Sequence, residues 1–543
     1  MNCESTNSSK IIKTEYGSVE GFIYKTSSGK EIEIFLGIPF AAPPIGDLRF
    51  EKPQQPSPWN TTLQAKEFPG ASATYANFMG HTDNEDCLYL NILKPKEPSP
   101  DKNGYPIMFF VYGGSFIVGD SKTYGYKTIS ENIVERGIIV VIIQYRLGPF
   151  GFFSTDDPNF SGNLGLWDQL EALKFVNKVI GNFGGDKSRI TLVGQSAGAA
   201  SVSLLALSEH ANDLFSQSIT MSGSAFSQWA TKNNITEIAL KVAEKLGCKN
   251  ATNIKDCLKT KNVTEFQAAI QPYIQFMDPV DLNPVPIGPK MDGDFITAKT
   301  LEEALEKAPK KSTLSMPGST PPGKYFGILP ENVANYSKTN LEEFVKVVFA
   351  KEKYFGKNAN AFVKEVVDFY LNQTSDKNPN FNFFFQQYTT VMSDVHFNVP
   401  ALREAKLKSK NETPTYFLLF DYNIDVSDNS SKYIRGSAHG DDVATLFGSL
   451  YKKIKTDENG KNVQKKFSEI IANFIKTGVP SIGSIKVPQI TKKNFQYIHM
   501  NEKPSVKSNL WKERLEFWNN IGKKYGFDLA SGNQMKNDNK LEL

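Results

Sequence analysis

"RITLVGQSAGAASVSLL", residues 189–205, decides how this chain folds. The run from Ile190 to Val193 fits a strand buried on both faces. Gly194-Gln195-Ser196-Ala197-Gly198 then reads Gly-x-Ser-x-Gly, and small residues open a helix behind it. A sharp strand-to-helix turn needs glycine on both sides of its apex, because larger side chains would clash there. Such a turn projects Ser196 at the carboxyl edge of a sheet, beside a helix N-terminus. The bare pentapeptide is common, and an ordinary Gly-rich turn carries the same letters. The flanking strand and helix distinguish the two readings.

Outward from this turn the same alternation recurs. "YPIMFFVYGG" (105–114), "GIIVVIIQYR" (137–146), "LFSQSITMSG" (214–223) and "PTYFLLFDY" (414–422) are apolar runs ended by glycine or polar residues. Helical patterns lie between them, such as "WDQLEALKFVNKVIGNFGG" (167–185), which closes on Gly184 and Gly185. Strand and helix in alternation predict an α/β fold with a large, mostly parallel central sheet flanked by helices. No repeat and no Pro/Ser-rich linker divides the chain. The expected organisation is a mobile N-terminal segment over 1–10, one domain over 11–527 and a Lys/Asn-rich tail over 528–543.

Bulk properties narrow the function classes. The chain has 543 residues, 40% hydrophobic and 22% charged, with a net charge of +4. So small a charge argues against nucleic acid as a partner. The longest apolar run, 137–143, is too short to span a bilayer. Ten Asn-X-Ser/Thr sequons occur, at Asn7, Asn60, Asn159, Asn234, Asn250, Asn262, Asn335, Asn372, Asn411 and Asn429. The chain ends in "KLEL", which resembles a retention signal but departs from it at Leu541. The reading is a protein of the secretory pathway, shown without its leader. Cys248 and Cys257 are spaced to close a small surface loop; two free thiols fit the sequence as well.

With the elbow in place, further blocks carry a resemblance. "FLGIPFAAPPIGDLRF" (35–50), "NEDCLYLNI" (84–92), "GNLGLWDQLEALKFV" (162–176), "NFGGDKSRITLVGQSAGAAS" (182–201), "HGDDVATLFG" (439–448) and "ANFIKTGVP" (472–480) stand in a fixed order. They resemble the type-B carboxylesterases and cholinesterases of the α/β-hydrolase fold, over roughly residues 11 to 527.

The resemblance implies roles residue by residue. Ser196 matches the nucleophile that attacks an ester carbonyl, and His439 matches the base that takes its proton. "VYGGSF" (111–116) matches the oxyanion-hole segment, with Gly114, Ser115 and Ala197 as backbone donors. Ser115 stands where a third glycine is usual, and Tyr112 where histidine is more common. Trp229 matches an acyl-pocket tryptophan. Gln195 stands where the family more often has Glu, which removes a charge that would favour cations. Arg49 with Glu85, and Arg146 with Asp168, match buried salt bridges; Ser222 and Asp442 match supporting positions. Cys248 and Cys257 match a disulfide. Cys87 matches half of another, for which Cys3 is the one upstream cysteine. No tryptophan occurs between residues 70 and 86, so cation–π recognition of choline is unsupported and cholinesterase activity is rejected.

One stretch departs from the pattern. The triad acid is expected after "MDGDFITAKTLEEALEKAPKK" (291–311) and before an aromatic pair, here Tyr325–Phe326. That stretch is "GSTPPGKYF" (318–326), which puts Pro322 at the acid position, and no Asp or Glu occurs from Ser312 to Leu329. Losing a triad acid costs about 10⁴ in kcat, roughly 5 kcal/mol. Two readings follow. The first is a serine carboxylesterase for neutral esters, weakened or rescued by a carboxylate from elsewhere. The second is a catalytically degenerate relative serving storage, crystal packing or adhesion. Neither calls for a cofactor or metal. The helix "LWKERLEFWNNI" (510–521) is amphipathic enough for self-association, and equally for ordinary packing.

Overall fold

In the computed structural model the five side chains of Ile139–Ile143 are all buried, as a strand covered on both faces requires. The structure describes residues 8–73, 83–160, 162–231, 235–273, 283, 285–318, 335–372, 379–424, 436–448 and 457–535.

Among the described residues one large sheet organises the chain. Its strands are β1 Phe22–Lys25, β2 Glu31–Pro39, β3 Tyr89–Pro95, β4 Tyr105–Val111, β5 Ile139–Ile143, β6 Gly185–Gln195, β7 Gln217–Met221, β8 Ser312–Met316, β9 Thr415–Phe420, β10 Gln496–Met500 and β11 Ser505–Ser508. The order is β11-β10-β9-β8-β7-β6-β4-β5-β3-β2-β1. The pairings from β10 through β9, β8, β7, β6 and β4 to β5 are parallel. The two margins are antiparallel. The sheet is mostly parallel as expected, with the parallel strands in the middle and antiparallel strands at both margins.

Each quoted apolar run holds a parallel strand. The strand that apolarity did not disclose is β8, "STLSM". Its buried Thr313 and Ser315 meet Ser218 and Thr220 of the neighbouring strand, at 3.0 Å and 3.4 Å. Cross-strand hydroxyl pairs let a half-polar sequence lie in the core.

Six helices matter for the site: α1 Leu164–Val179, α2 Ala197–Leu207, α3 Gln228–Thr231, α4 Val399–Lys410, α5 Asp441–Phe447 and α6 Lys512–Tyr525. The main core surrounds the sheet. A second core gathers buried side chains from between Tyr336 and Ala405, part of α6 and the chain after it. In α6, Leu515, Trp518 and Ile521 are buried, and Trp518 donates its indole N–H to Tyr370 Oη at 2.8 Å. The apolar face of this helix packs within its own chain.

The described residues near both ends are tied into the fold. Gly21 N–H donates to buried Ser9 Oγ at 2.8 Å, so packed structure begins before residue 11. Past residue 527 the chain turns through the pair Phe527–Asp528 and Asn533–Gln534, with Asp528, Leu529 and Ala530 buried. Among the described residues no helix is long and apolar enough to cross a membrane.

Candidate functional site

Ser196 sits between β6 and α2 with φ 56° and ψ −125°, a backbone angle that non-glycine residues rarely adopt. Its N–H donates to Met221 O at 2.9 Å, and its carbonyl accepts from Ala199 and Ala200 in the first turn of α2. A Cβ on Gly198 would stand 2.1 Å from Val111 O, so helix and strand cross here only without a side chain. Ser196 itself is half-buried. Ala197 opens α2, where a helix leaves its first N–H groups without intrahelical partners.

The segment after β4 closes against this turn. A Cβ on Gly113 would lie 2.8 Å from Ser196 Cβ and 2.5 Å from Gln195 O. Ser115 and Phe116 follow with φ 54° and 60°. Ser115 therefore occupies a left-handed conformation that costs a non-glycine residue roughly 1–2 kcal/mol. Neighbouring bonds hold the loop. Tyr145 Oη donates to Tyr112 O at 2.8 Å, and Gly148 N–H donates to Phe116 O at 2.7 Å. The buried Tyr112 ring stacks on Tyr145 with centroids 4.8 Å apart.

His439 lies in the turn just before α5. Ser437 Oγ donates to Phe420 O at 2.6 Å, and Ala438 N–H donates to Asp441 at 2.7 Å. Gln195 Nε2, next to Ser196 in the chain, lies 3.3 Å from His439 Nε2. Ser222, at φ 56°, donates to Asp442 at 3.3 Å, linking the end of β7 to the first turn of α5. The structure thus brings Gln195, Ser196, Gly113 and His439 to the carboxyl ends of parallel strands.

Trp229 is buried in α3 and donates its indole N–H to His396 O at 2.8 Å. The Phe397 ring stands 5.8 Å from Trp229 and 4.9 Å from His439, centroid to centroid. Phe116 closes the other side at 6.4 Å from Trp229. The sequence did not single out Phe397. It is one phenylalanine among 39, and no local motif marks the π-helical turn Asp394–Asn398 that carries it. His396 in the same turn is buried, and burial lowers its pKa to about 4.

The scaffold pairs match those read from sequence. Arg49 Nε donates to Glu85 at 2.6 Å. Arg146 grips Asp168 at 2.8 and 2.6 Å, both side chains buried. Cys248 and Cys257 form a disulfide, and Cys87 is free and buried, its thiol pushed up to about 12 by burial. The sequence also left Glu404 unmarked. This buried carboxylate pairs with Lys408 at 2.7 Å and accepts from Ser203 at 2.8 Å and from Ser224. Pro322, Tyr325 and Phe326 lie outside the described residues, as does Cys3.

Among the described residues no group of acidic, His and Cys side chains is arranged to hold a metal ion. A model of the carboxylesterase family matches residues 8–518. The chain is 35% identical to gut esterase 1 of Caenorhabditis briggsae, across 98% of this chain and 97% of that protein. It is 34% identical to gut esterase 1 of Caenorhabditis elegans, across 98% and 97%. Identity to carboxylesterase 1D of Rattus norvegicus is 30%, across 95% and 94%.

Proposed function

We propose, from the premise that this chain belongs to the carboxylesterase family, that it hydrolyses small neutral carboxylic esters through an acyl-enzyme. Ser196 Oγ attacks the ester carbonyl while His439 Nε2 accepts its proton. The N–H groups of Gly114, Ser115 and Ala197 take the negative charge that develops on the carbonyl oxygen. His439 then protonates the leaving alcohol. A water, deprotonated by the same nitrogen, releases the acid. Trp229 and Phe397 wall the acyl group. Uncharged Gln195 and the absence of tryptophan between residues 70 and 86 favour neutral substrates.

The observation that carries this reading is the strained Ser196 backbone, φ 56°, with Gln195 touching His439. A non-glycine residue stays at such an angle only where its surroundings impose it, and strain of this kind clusters at reactive sites. The test is hydrolysis of a short-chain p-nitrophenyl ester by wild type and by Ser196→Ala. The expected result is turnover lost in the variant; equal rates in both overturn the reading.

The stretch 318–326 favours a second, degenerate reading, a fold kept for storage, crystal packing or adhesion. A proline side chain at 322 neither accepts from an imidazole N–H nor balances its charge. Without the acid, serine, base and oxyanion hole still leave about 10³–10⁴ over water. Pro322→Glu is expected to raise Ser196-dependent turnover. Unchanged turnover in the folded variant counts against the position assigned to the acid, and no Ser196-dependent turnover in either protein favours the degenerate reading.

The secretory pathway is the compartment proposed. The Cys248–Cys257 disulfide supports it. So does the exposure of the sequon residues Asn60, Asn159, Asn250, Asn262, Asn335 and Asn372. A mobility shift on treating the native-source protein with an N-glycosidase checks this; no shift counts against it.

A further inference from the structure

Helix α3, which carries Trp229, has four residues. A helix that short does not hold itself, so its position comes from its neighbours. On one side Trp229 is tied to His396 O. On the other, Gln228 N–H donates to Ala530 O at 2.9 Å. Ala530 lies beyond the residues that the family model matches.

Ala530 is itself firmly held. Asp528, 3% exposed, accepts from Arg403 Nη1 of α4 at 2.6 Å. Gly532 N–H donates to Asp528 O, and Met535 N–H donates to Gly526 O, both at 2.8 Å. The Phe527 ring lies flat on Tyr354, centroids 4.0 Å apart. Leu529 and Ala530 are buried in the second core. A buried ion pair, a ring stack and two closing hydrogen bonds thus converge on one short hairpin, and its inner face meets the helix that carries the acyl-pocket wall.

We propose that the C-terminal hairpin Phe527–Gln534 positions Trp229 through the Ala530–Gln228 bond, and so limits the length of acyl chain that the site accepts. This rests on the esterase reading above. The hairpin acts as a positioning element and touches no reacting atom. Held in place, it makes Trp229 a fixed wall that favours short acyl groups; loosened, it lets α3 yield to longer ones.

The experiment compares Ser196-dependent hydrolysis of p-nitrophenyl acetate, butyrate and octanoate by wild type and Asp528→Ala. One methylene in an apolar pocket is worth about 10–200-fold in discrimination; the octanoate-to-acetate ratio of kcat/KM is expected to rise at least about 5-fold, with acetate within about 2-fold of wild type. Asp528→Asn, which still accepts from Arg403, is expected to return the ratio towards wild type. An unchanged ratio, or a parallel fall for all three esters, overturns the inference. Should Asp528→Ala fail to fold, Phe527→Ala removes the ring stack without stranding Arg403, and the same readings apply.

Hydrogen exchange separates this inference from the esterase reading. In Asp528→Ala the Gln228 amide is expected to exchange faster than in wild type. Unaltered exchange overturns the inference even where turnover stands. Faster exchange in a protein without Ser196-dependent turnover keeps the link between hairpin and α3, and overturns the esterase reading together with acyl selection.

Discussion

Gln195 Nε2 lies 3.3 Å from Nε2 of His439, the ring nitrogen proposed to receive the Ser196 proton. An amide nitrogen only donates, so the contact is a hydrogen bond in the tautomer that carries its proton on Nδ1. That is the tautomer a base needs. In the proposed mechanism the amide competes with Ser196 for that lone pair and opposes the imidazolium.

Gln195→Glu turns this donor into a carboxylate. An opposite charge beside imidazole favours its protonated form. The acid limb of the pH profile of kcat/KM is expected to move to higher pH, and cationic esters are expected to gain on neutral ones. A pH–rate series with matched neutral and cationic esters checks both. An unmoved limb means that the contact does not persist in solution.

Ser115 pays for its left-handed backbone, and glycine adopts that angle freely. Ser115→Gly is expected to leave stability within about 1 kcal/mol of wild type, the relief of strain roughly offset by the freedom glycine gains unfolded. Turnover is expected to hold or rise. Urea unfolding and the ester assay measure the two; a large loss in either shows that the Ser115 side chain has a role of its own.

Arg146 and Asp168 are buried together. Asp168→Ala strands the guanidinium and is expected to cost about 3–5 kcal/mol, whereas Arg146→Met with Asp168→Leu is expected to recover most of that. Denaturant midpoints of the three proteins decide it.

His396 is buried with its pKa held at about 4. Above about pH 6.5, the usual histidine value, both folded and unfolded forms are neutral there and the residue has no effect on pH dependence. As pH falls from 6.5 to 4, the unfolded chain takes up the proton first. Stability is expected to drop by roughly 3 kcal/mol over that window. His396→Met is expected to remove that part of the acid sensitivity. Urea midpoints at pH 7 and pH 4.5 compare the two, and equal acid losses count against it.

Much of this was legible in the chain because it is local. Apolar runs announced the parallel strands, since a strand covered on both faces has no polar side to show. Gly194 and Gly198 announced the turn at Ser196, since the crossing backbones leave no room for Cβ. Strand β8 was not legible: its hydroxyls are satisfied by partners on β7 some ninety residues away. Phe397 and Glu404 were hidden for the same reason, as neither is unusual among its chain neighbours.

By itself, then, the sequence determined the elbow, because backbone sterics suffice for it; the scaffold pairs and the candidate roles of Ser196 and His439 came from the resemblance that its ordered blocks carry. It also determined that 318–326 holds no carboxylate, because that is a matter of residue type. Only the tertiary structure decided what meets what. It set Gln195 against His439, laid Phe397 between His439 and Trp229, and brought Ala530 to Gln228. Such contacts join segments far apart in the chain, and their energies depend on distance and burial, which exist only once the chain has closed on itself.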